Sequence, residues 1–189
     1  MNDAVVLVPV KAFADAKARL APALRAPERE ALARSMAERV VAAAAPLPVR
    51  VACDDPGVAA WAEALGATVE WTPGLGLNGA VQQGFTSLVA EGFHVIVVAH
   101  ADLPHAVGLD RLADDRDTVT VVPDRRDDGT NVLAVPARGA GFTFAYGVGS
   151  CARHIAEATR LGFPVRIERL PELQWDVDTP DDLPIATAT

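Results

Sequence analysis

The stretch that most constrains the fold is His94-Val95-Ile96-Val97-Val98-Ala99-His100-Ala101-Asp102-Leu103-Pro104, where an unbroken apolar run gives way to a carboxylate. Residues 95–99 show no polar alternation, so they are expected to form a strand covered on both faces, as inside a parallel sheet. Asp102 then falls just past the C-terminal end of that strand. In open α/β sheets this edge is where ligands bind, and a carboxylate held there suits a hard cation and phosphate oxygens. The same residue can equally do no more than set the turn before Pro104.

A chain of 189 residues with 50% hydrophobic content can bury one substantial core, so one domain over 1–189 is expected. Seventeen Lys and Arg against 25 Asp and Glu give a net charge of −8, which argues against a general nucleic-acid or anionic-membrane surface. The longest apolar runs are strand-sized, and Met1-Asn2-Asp3 leads straight into one of them. A soluble cytoplasmic protein, with neither nucleic acid nor membrane as partner, is therefore expected. Cys53 and Cys151 make neither a metal-ligand pattern nor a disulfide framework and read as two free thiols.

Taken in order, residues 4–8 form a buried-type strand ended by Pro9, and Lys11, Lys17 and Arg19 follow at once. Cations at that sheet edge can hold the β- and γ-phosphates of a nucleotide and carry the charge developing on departing pyrophosphate, or form a solvated turn. Pro27 with Glu28 and Glu30 starts a scaffold helix that runs to Pro46. A strand at 49–52, an Asp54-Asp55-Pro56 cap, a helix over 58–65 stopped by Gly66 and a strand at 67–71 complete a βαβαβ pattern, which predicts a parallel sheet.

The loop 72–80, with Gly74, Gly76 and Asn78, feeds a helix to about Glu91. The two glycines let backbone approach a ligand, and Asn78 can cap the helix or point its amide at a base or ribose. The loop lacks both the Walker spacing and the dinucleotide fingerprint. After the opening strand and a helical turn at 108–112, strands are expected at 119–122 and 132–135, joined by a charged loop ending in Thr130-Asn131, which can read a small substrate or simply shape the turn.

A further helix starts near Ser150, behind Gly147 and Gly149. Its exposed N–H groups suit a phosphate or carboxylate, and Arg153 and His154 in its first turn oppose the helix dipole, which an anion would offset. A strand at 165–170 precedes Asp176-Val177-Asp178-Thr179-Pro180-Asp181-Asp182. Two residues apart in extended chain, Asp176 and Asp178 face one side, and a divalent ion would bridge them, the more so if Asp102 converges on it.

VPVKAFADAKARL (8–20), GLNGAV (76–81), ADLP (101–104), DGTN (128–131), GVGS-CARH (147–154) and DVDTPDDL (176–183) together closely resemble the 2-phospho-L-lactate guanylyltransferase family of coenzyme F420 biosynthesis, whose bacterial members are phosphoenolpyruvate guanylyltransferases. The resemblance implies a single-domain Rossmann-like α/β fold of glycosyltransferase-A type, with a mostly parallel mixed sheet flanked by helices. It also implies that GTP and a phosphorylated three-carbon acid (phosphoenolpyruvate, 2-phospho-L-lactate or 3-phosphoglycerate) are joined with loss of pyrophosphate.

Carried onto this chain, Thr130, Gly147 and Ser150 match the acid-binding positions, and Asp102, Asp176 and Asp178 the Mg²⁺ ligands. Lys11, Lys17, Arg19 and Asn78 match the nucleotide side, with Lys17, Arg19 and Asp102 as the catalytic group. His100, where Pro or Gly is expected, and Val148, where Pro is common, depart from the pattern. The alternatives are a cytidylyl- or molybdopterin-type nucleotidyltransferase, for which the first loop lacks the expected glycines, and a non-catalytic nucleotide-binding subunit. Sheet edges can support a homodimer, and the product can pass to the next enzyme of the pathway through a transient contact.

Overall fold

In the computed structural model, which describes residues 3–183, the chain alternates strand and helix as the apolar pattern requires. Among the described residues seven strands form one sheet: β1 (Ala4–Pro9), β2 (Val49–Cys53), β3 (Thr68–Trp71), β4 (Val95–Ala99), β5 (Val119–Pro123), β6 (Thr130–Pro136) and β7 (Val165–Ile167). Their order is β3-β2-β1-β4-β6-β5-β7, and β6 runs against its neighbours β4 and β5 while the remaining pairings are parallel. Five helices, α1 (Ala26–Ala43), α2 (Pro56–Ala64), α3 (Gly76–Ala90), α4 (Ser150–Arg160) and the short α5 (Pro171–Gln174), cover the sheet and its edge.

The uninterrupted apolar character of β1 and β4 is explained by cover on both sides. Val6 and Val8 with Val95, Val97 and Ala99 meet α1 and α2 through Ala37, Val40, Val58 and Ala62. The alternate residues Val5, Leu7, Ile96 and Val98 meet Val81, Phe85 and Leu88 of α3 on the opposite face. Because side chains alternate along a strand, only a run without polar positions satisfies both layers. All five residues of β4 are buried, as expected of 95–99.

The chain builds β1, β2 and β3 outward in one direction, then crosses by α3 on the other face and inserts β4 beside β1. The strand order therefore reverses between β1 and β4, and the crevice outside their C-terminal ends is the ligand position of such a sheet. Antiparallel β6 begins where β4 ends, with Ala99 paired to Val132 and the His100 N–H donating to Asn131 O at 3.0 Å. This reversal delivers Thr130 to the same edge as Asp102.

Two sequence expectations are adjusted. The seventh strand stops at Ile167 rather than 170, because the Glu168 N–H makes a last bond to Val121 O and Pro171 starts α5. Helix α3 starts at Gly76, where φ is +63°, so Asn78 lies inside the first turn and does not cap it. Asp55 does cap α2, accepting from the Val58 N–H at 2.9 Å. Cys53 and Cys151 are free and buried. Met1 and Asn2, at the start of the expected 1–189 domain, and residues 184–189 at its end lie outside the described residues.

Helix α3 approaches β1 closely enough that a Cβ on Gly84 would stand 2.9 Å and 3.0 Å from the methyls of fully buried Leu7. Gly84→Val gains about 0.5 kcal/mol of helix propensity but overpacks this contact by about 1–3 kcal/mol, so the clash wins. The variant is expected to lose 1–2 kcal/mol or so in urea unfolding; unchanged stability would mean that α3 sits farther from the sheet.

Candidate active site

The crevice opens into a cavity of about 460 Å³, walled by the C-terminal ends of β1 to β4 and by the segments that follow them. Lys11, Lys17, Asp54, Thr72, Leu77, His100 and Asp102 line it. Apolar Phe13, Ala33 and Met36 line it together with the charged Lys11, Lys17, Asp54 and Asp102, a mixture that suits a ligand with a flat ring and an anionic tail.

Lys17 is the centre of the charged lining, between two aspartates. Phe13, edge-on to Trp61 at 5.1 Å, and fully buried Leu20 anchor the first loop at two points. Lys17 lies between these anchors at φ +56°, a left-handed conformation that costs a non-glycine residue roughly 1–2 kcal/mol. Its ammonium donates to Asp102 Oδ2 at 2.6 Å and to Asp178 Oδ1 at 3.2 Å, with the side chain only 10% exposed. Burial works against the charge on Lys17, but the two carboxylates outweigh it and raise its pKa. Burial likewise works against ionised Asp102, and the nearby ammonium outweighs it and lowers the carboxyl.

Asp176 and Asp178 arrive on a strap, residues 175–183. Val177 is fully buried beside Leu20 and Met36, and its N–H donates to Asp102 O at 3.3 Å, so the flanking aspartates turn the other way. Asp182 accepts from the N–H groups of Asp178 and Thr179 and forms an ion pair with Arg125, whose guanidinium also lies 4.1 Å over the Trp175 ring. Burial, then the charges of Asp102 and Asp178, push the Asp176 carboxyl up to about 6. Asp102 Oδ1 is buried without a partner.

Among the described residues no group of three or more His, Cys, Asp or Glu stands in a metal-binding arrangement. Lys17 holds the bridging position between Asp102 and Asp178. An orphaned carboxylate oxygen and a carboxyl raised by burial and by its like-charged neighbours nonetheless fit a hard cation, since both are relieved by positive charge at this point. Arg19 stands outside the cavity, 78% exposed, at 3.7 Å from Asp178.

Across β4 lies a second polar group. His154 Nε2 accepts the Ala145 N–H at 3.1 Å, so its proton sits on Nδ1, which donates to Thr130 Oγ1 at 3.0 Å. The Ser150 hydroxyl lies 3.4 Å from the same oxygen, and Thr130, Ser150 and His154 are all buried. With its oxygen accepting from the imidazole, the Thr130 hydroxyl keeps its own proton for a ligand.

The α4 N-terminus departs from the expected empty anion cradle. Asp128 supplies the acceptors, its carboxylate taking the Gly149 N–H at 3.0 Å and its carbonyl the Cys151 N–H at 3.0 Å. Gly149 adopts φ +74° to make that junction, and Gly147 φ +116°. Arg153 does not face an anion, because its guanidinium binds the carbonyls of Ala145 and Val148. His154 is not a cation either: burial, helped by Arg153, pushes it down to about 4.

Asn78 is engaged from both ends of its amide, accepting the Tyr146 N–H at 2.7 Å and donating to Tyr146 O at 3.4 Å, and it does not line the cavity. It thus ties the 142–150 loop to α3. Asn131 is spent on Leu173 O at 3.0 Å. The structure brings Lys11, Lys17 and Asp102 together, sets Asp176 and Asp178 beside them, and keeps Thr130 and Ser150 in the second group. Sequence reasoning passed over Tyr146, the single tyrosine of the chain, whose ring lies 4.9 Å from His100 and 4.7 Å from His154 and so joins the two groups. A lone tyrosine beside paired glycines was the available signal.

Strand order, reversed β6 and a charged crevice at the switch point define a nucleotidyltransferase-type α/β domain. A nucleotidyl transferase from Methanothermobacter thermautotroptrophicus shares this fold with a TM-score of 0.67 at 16% identity, over 97% of this chain and 95% of that one. The family model described as "Guanylyl transferase CofC like" matches residues 4–185, and the chain belongs to that family. Relatives named phosphoenolpyruvate guanylyltransferase include one from Sphaerobacter thermophilus, 35% identical over 95% of this chain and 90% of its own length. Another, from Roseiflexus castenholzii, is 38% identical over 96% and 86%.

His154 gives the domain a pH signature. Its folded value of about 4 lies below the ordinary 6.5 or so, so between them the unfolded chain binds the extra proton and stability falls as pH falls through that window. Between about pH 7 and 4.5 the wild type is expected to lose roughly 2–3 kcal/mol more than His154→Gln in urea unfolding. Parallel pH curves for the two proteins would show that His154 is not held neutral.

Proposed function

We propose that the protein transfers the guanylyl group of GTP to the phosphate oxygen of a small phosphorylated three-carbon acid, in coenzyme F420 biosynthesis. The observation that carries this reading is Lys17 beside Asp102 in the lining of the cavity, in a chain whose relatives are named phosphoenolpyruvate guanylyltransferase. The acid's phosphate oxygen attacks the α-phosphorus, the bond from that phosphorus to the bridging oxygen breaks, and pyrophosphate leaves with the electron pair. The nucleophile is already an anion at neutral pH, so no protein base is needed.

Catalysis then rests on positioning and charge. The apolar lining receives the base, and Lys11 and Lys17 meet the phosphates. Arg19, on the rim, adds charge for departing pyrophosphate, and Thr130 and Ser150, with the Gly147 backbone, meet the acid. Asp102, Asp176 and Asp178 would hold Mg²⁺, which when bound offsets the negative charge shared by the two substrates. Delivery of the triphosphate gives the Lys17 ammonium an alternative partner to the carboxylates.

No helix among the described residues is long and apolar enough to cross a membrane. A cytoplasmic site of action, pairing of two copies through the outer strands β3 or β7, and hand-over of product to the next enzyme complete the proposal.

Pyrophosphate release is the direct test, with Mg²⁺ and GTP, CTP or ATP, each crossed with phosphoenolpyruvate, 2-phospholactate and 3-phosphoglycerate. Release is expected with GTP and at least one acid, and Asp102→Asn is expected to lower it about a hundred- to a thousandfold with the fold intact. Tight GTP binding without release for any pair would favour a non-catalytic subunit, and release with CTP alone the cytidylyl alternative. A folded Asp102→Asn protein working at the parent rate would remove Asp102 from the metal site.

A further inference from the structure

A nucleotide in the cavity has a base edge to satisfy as well as its phosphates, and most polar side chains of the lining are already engaged. Lys17 and Asp102 bind each other, the Thr72 hydroxyl donates to Cys53 O at 3.3 Å, and His100 Nε2 is fully enclosed. Asp54 differs from all of these. It lines the cavity and is exposed, one carboxylate oxygen accepts the Gly74 N–H at 3.3 Å, and the other has no hydrogen bond among the described residues. The cap of α2 is made by Asp55, so Asp54 is not needed for it.

Strand register sets the distance from Asp54 to the phosphate-binding groups. Pro9 pairs with Ala52, and Leu7 with Val98. Counted onward from those pairs, Asp54 and Asp102 leave the sheet at one level, with β1 between their strands. Two strand spacings come to about 10 Å, comparable with the span from the edge of a nucleotide base to its α-phosphate. The phosphates are drawn to Lys11 and Lys17 on the loop after β1 and repelled by Asp54, so the base points towards β2 and α3. There the lining consists of Leu77, 42% exposed, and Gly76 at φ +63°. An open apolar side chain covers the face of a ring, and a residue without Cβ lets the ring approach the backbone.

We propose that Asp54 reads the guanine base, its carboxylate oxygens accepting the N1–H and one hydrogen of the exocyclic N2 amine. This inference rests on the function proposed above. Among the common bases only guanine presents two neighbouring donors on its pairing edge. Adenine and cytosine set an unprotonated ring nitrogen beside the amine, and uracil flanks its one donor with carbonyls. An ionised carboxylate only accepts, so each of those edges turns a lone pair towards it and leaves it unsatisfied. A site built to pair with donors rejects a ligand that lacks them, which separates GTP from ATP and CTP through one side chain.

The test is calorimetric titration with GTP, ITP and XTP in the presence of Mg²⁺ and without the acid, beside pyrophosphate release with it. ITP lacks the N2 amine, and XTP carries a carbonyl in its place. The wild type is expected to bind GTP about ten- to a hundredfold more tightly than ITP, and XTP more weakly than either. Asp54→Ala is expected to bring GTP down to the affinity of ITP. Asp54→Asn keeps the shape but offers one acceptor and one donor, which match the N1–H and the carbonyl of xanthine, so it is expected to prefer XTP over GTP. KM for the acid is expected to stay unchanged in both variants. Loss of GTP and ITP affinity by one common factor in Asp54→Ala, as a ribose contact or a structural role would give, would overturn the inference and leave the function standing. An unchanged ratio of GTP to XTP affinity in Asp54→Asn would do the same. Reversed base preference in Asp54→Asn, with no pyrophosphate release by the wild type from GTP and any of the three acids, would support the base assignment and overturn the transfer reaction; a wild type that binds CTP in preference to GTP would overturn both.

Discussion

Placement of one ammonium between two carboxylates governs the geometry of the site. Lys17 joins three pieces of chain far apart in sequence: the loop after β1, the end of β4 and the C-terminal strap. Without it, Asp102 and Asp178 would face each other and Asp176 inside a crevice of low dielectric, where like charges drive proton uptake or separation. With it, Asp102 stays ionised although buried, and Lys17 accepts a left-handed backbone to reach the position. A pair of this kind contributes little net stability, because desolvation consumes most of the attraction; removing one partner is what costs, by roughly 3–5 kcal/mol for a buried pair. It is better understood as fixing the charge geometry that a cation and a triphosphate take over.

The rest of the fold serves that convergence. The two-layer core holds β1 and β4 side by side, so the loops leaving them emerge at one point. Reversal of β6 adds Thr130 to the same edge, and Asn78 reaches across from α3 to fix Tyr146. The strap has its own fastening through Val177, Asp182 and Arg125. Each of these attachments is made by an apolar residue or by a polar group with a partner.

Legibility in the sequence follows the range of each interaction. Residues 95–99 announce a doubly covered strand because burial on two faces is written into consecutive positions, and the Asp55-Pro56 cap is similarly local. The pairing of Asp176 with Asp178 about buried Val177 also follows from alternation within a few residues. By contrast, the partners of Asn78, Asn131 and Arg153 are backbone groups of segments placed by tertiary packing. Nothing in a side chain's type states whether its amide will meet a ligand or a distant carbonyl. The α4 N-terminus shows the same limit: its glycines are readable as a turn, but the Asp128 carboxylate that takes the Gly149 N–H belongs to the preceding hairpin loop.

His100 shows why a departure from a family pattern deserves a physical reading. An imidazole in place of Pro or Gly puts a polar ring at the end of β4, and burial keeps it neutral beside Asp102 and Lys17. A residue there that served only packing would do so more cheaply as an apolar side chain, since its Nε2 has no partner to offset desolvation. The Tyr146 hydroxyl poses the same cost from the opposite wall, where phenylalanine would fill the space between two imidazoles equally well. Both rings are in contact, His100 lining the cavity and Tyr146 lying against the His154 imidazole that bonds Thr130.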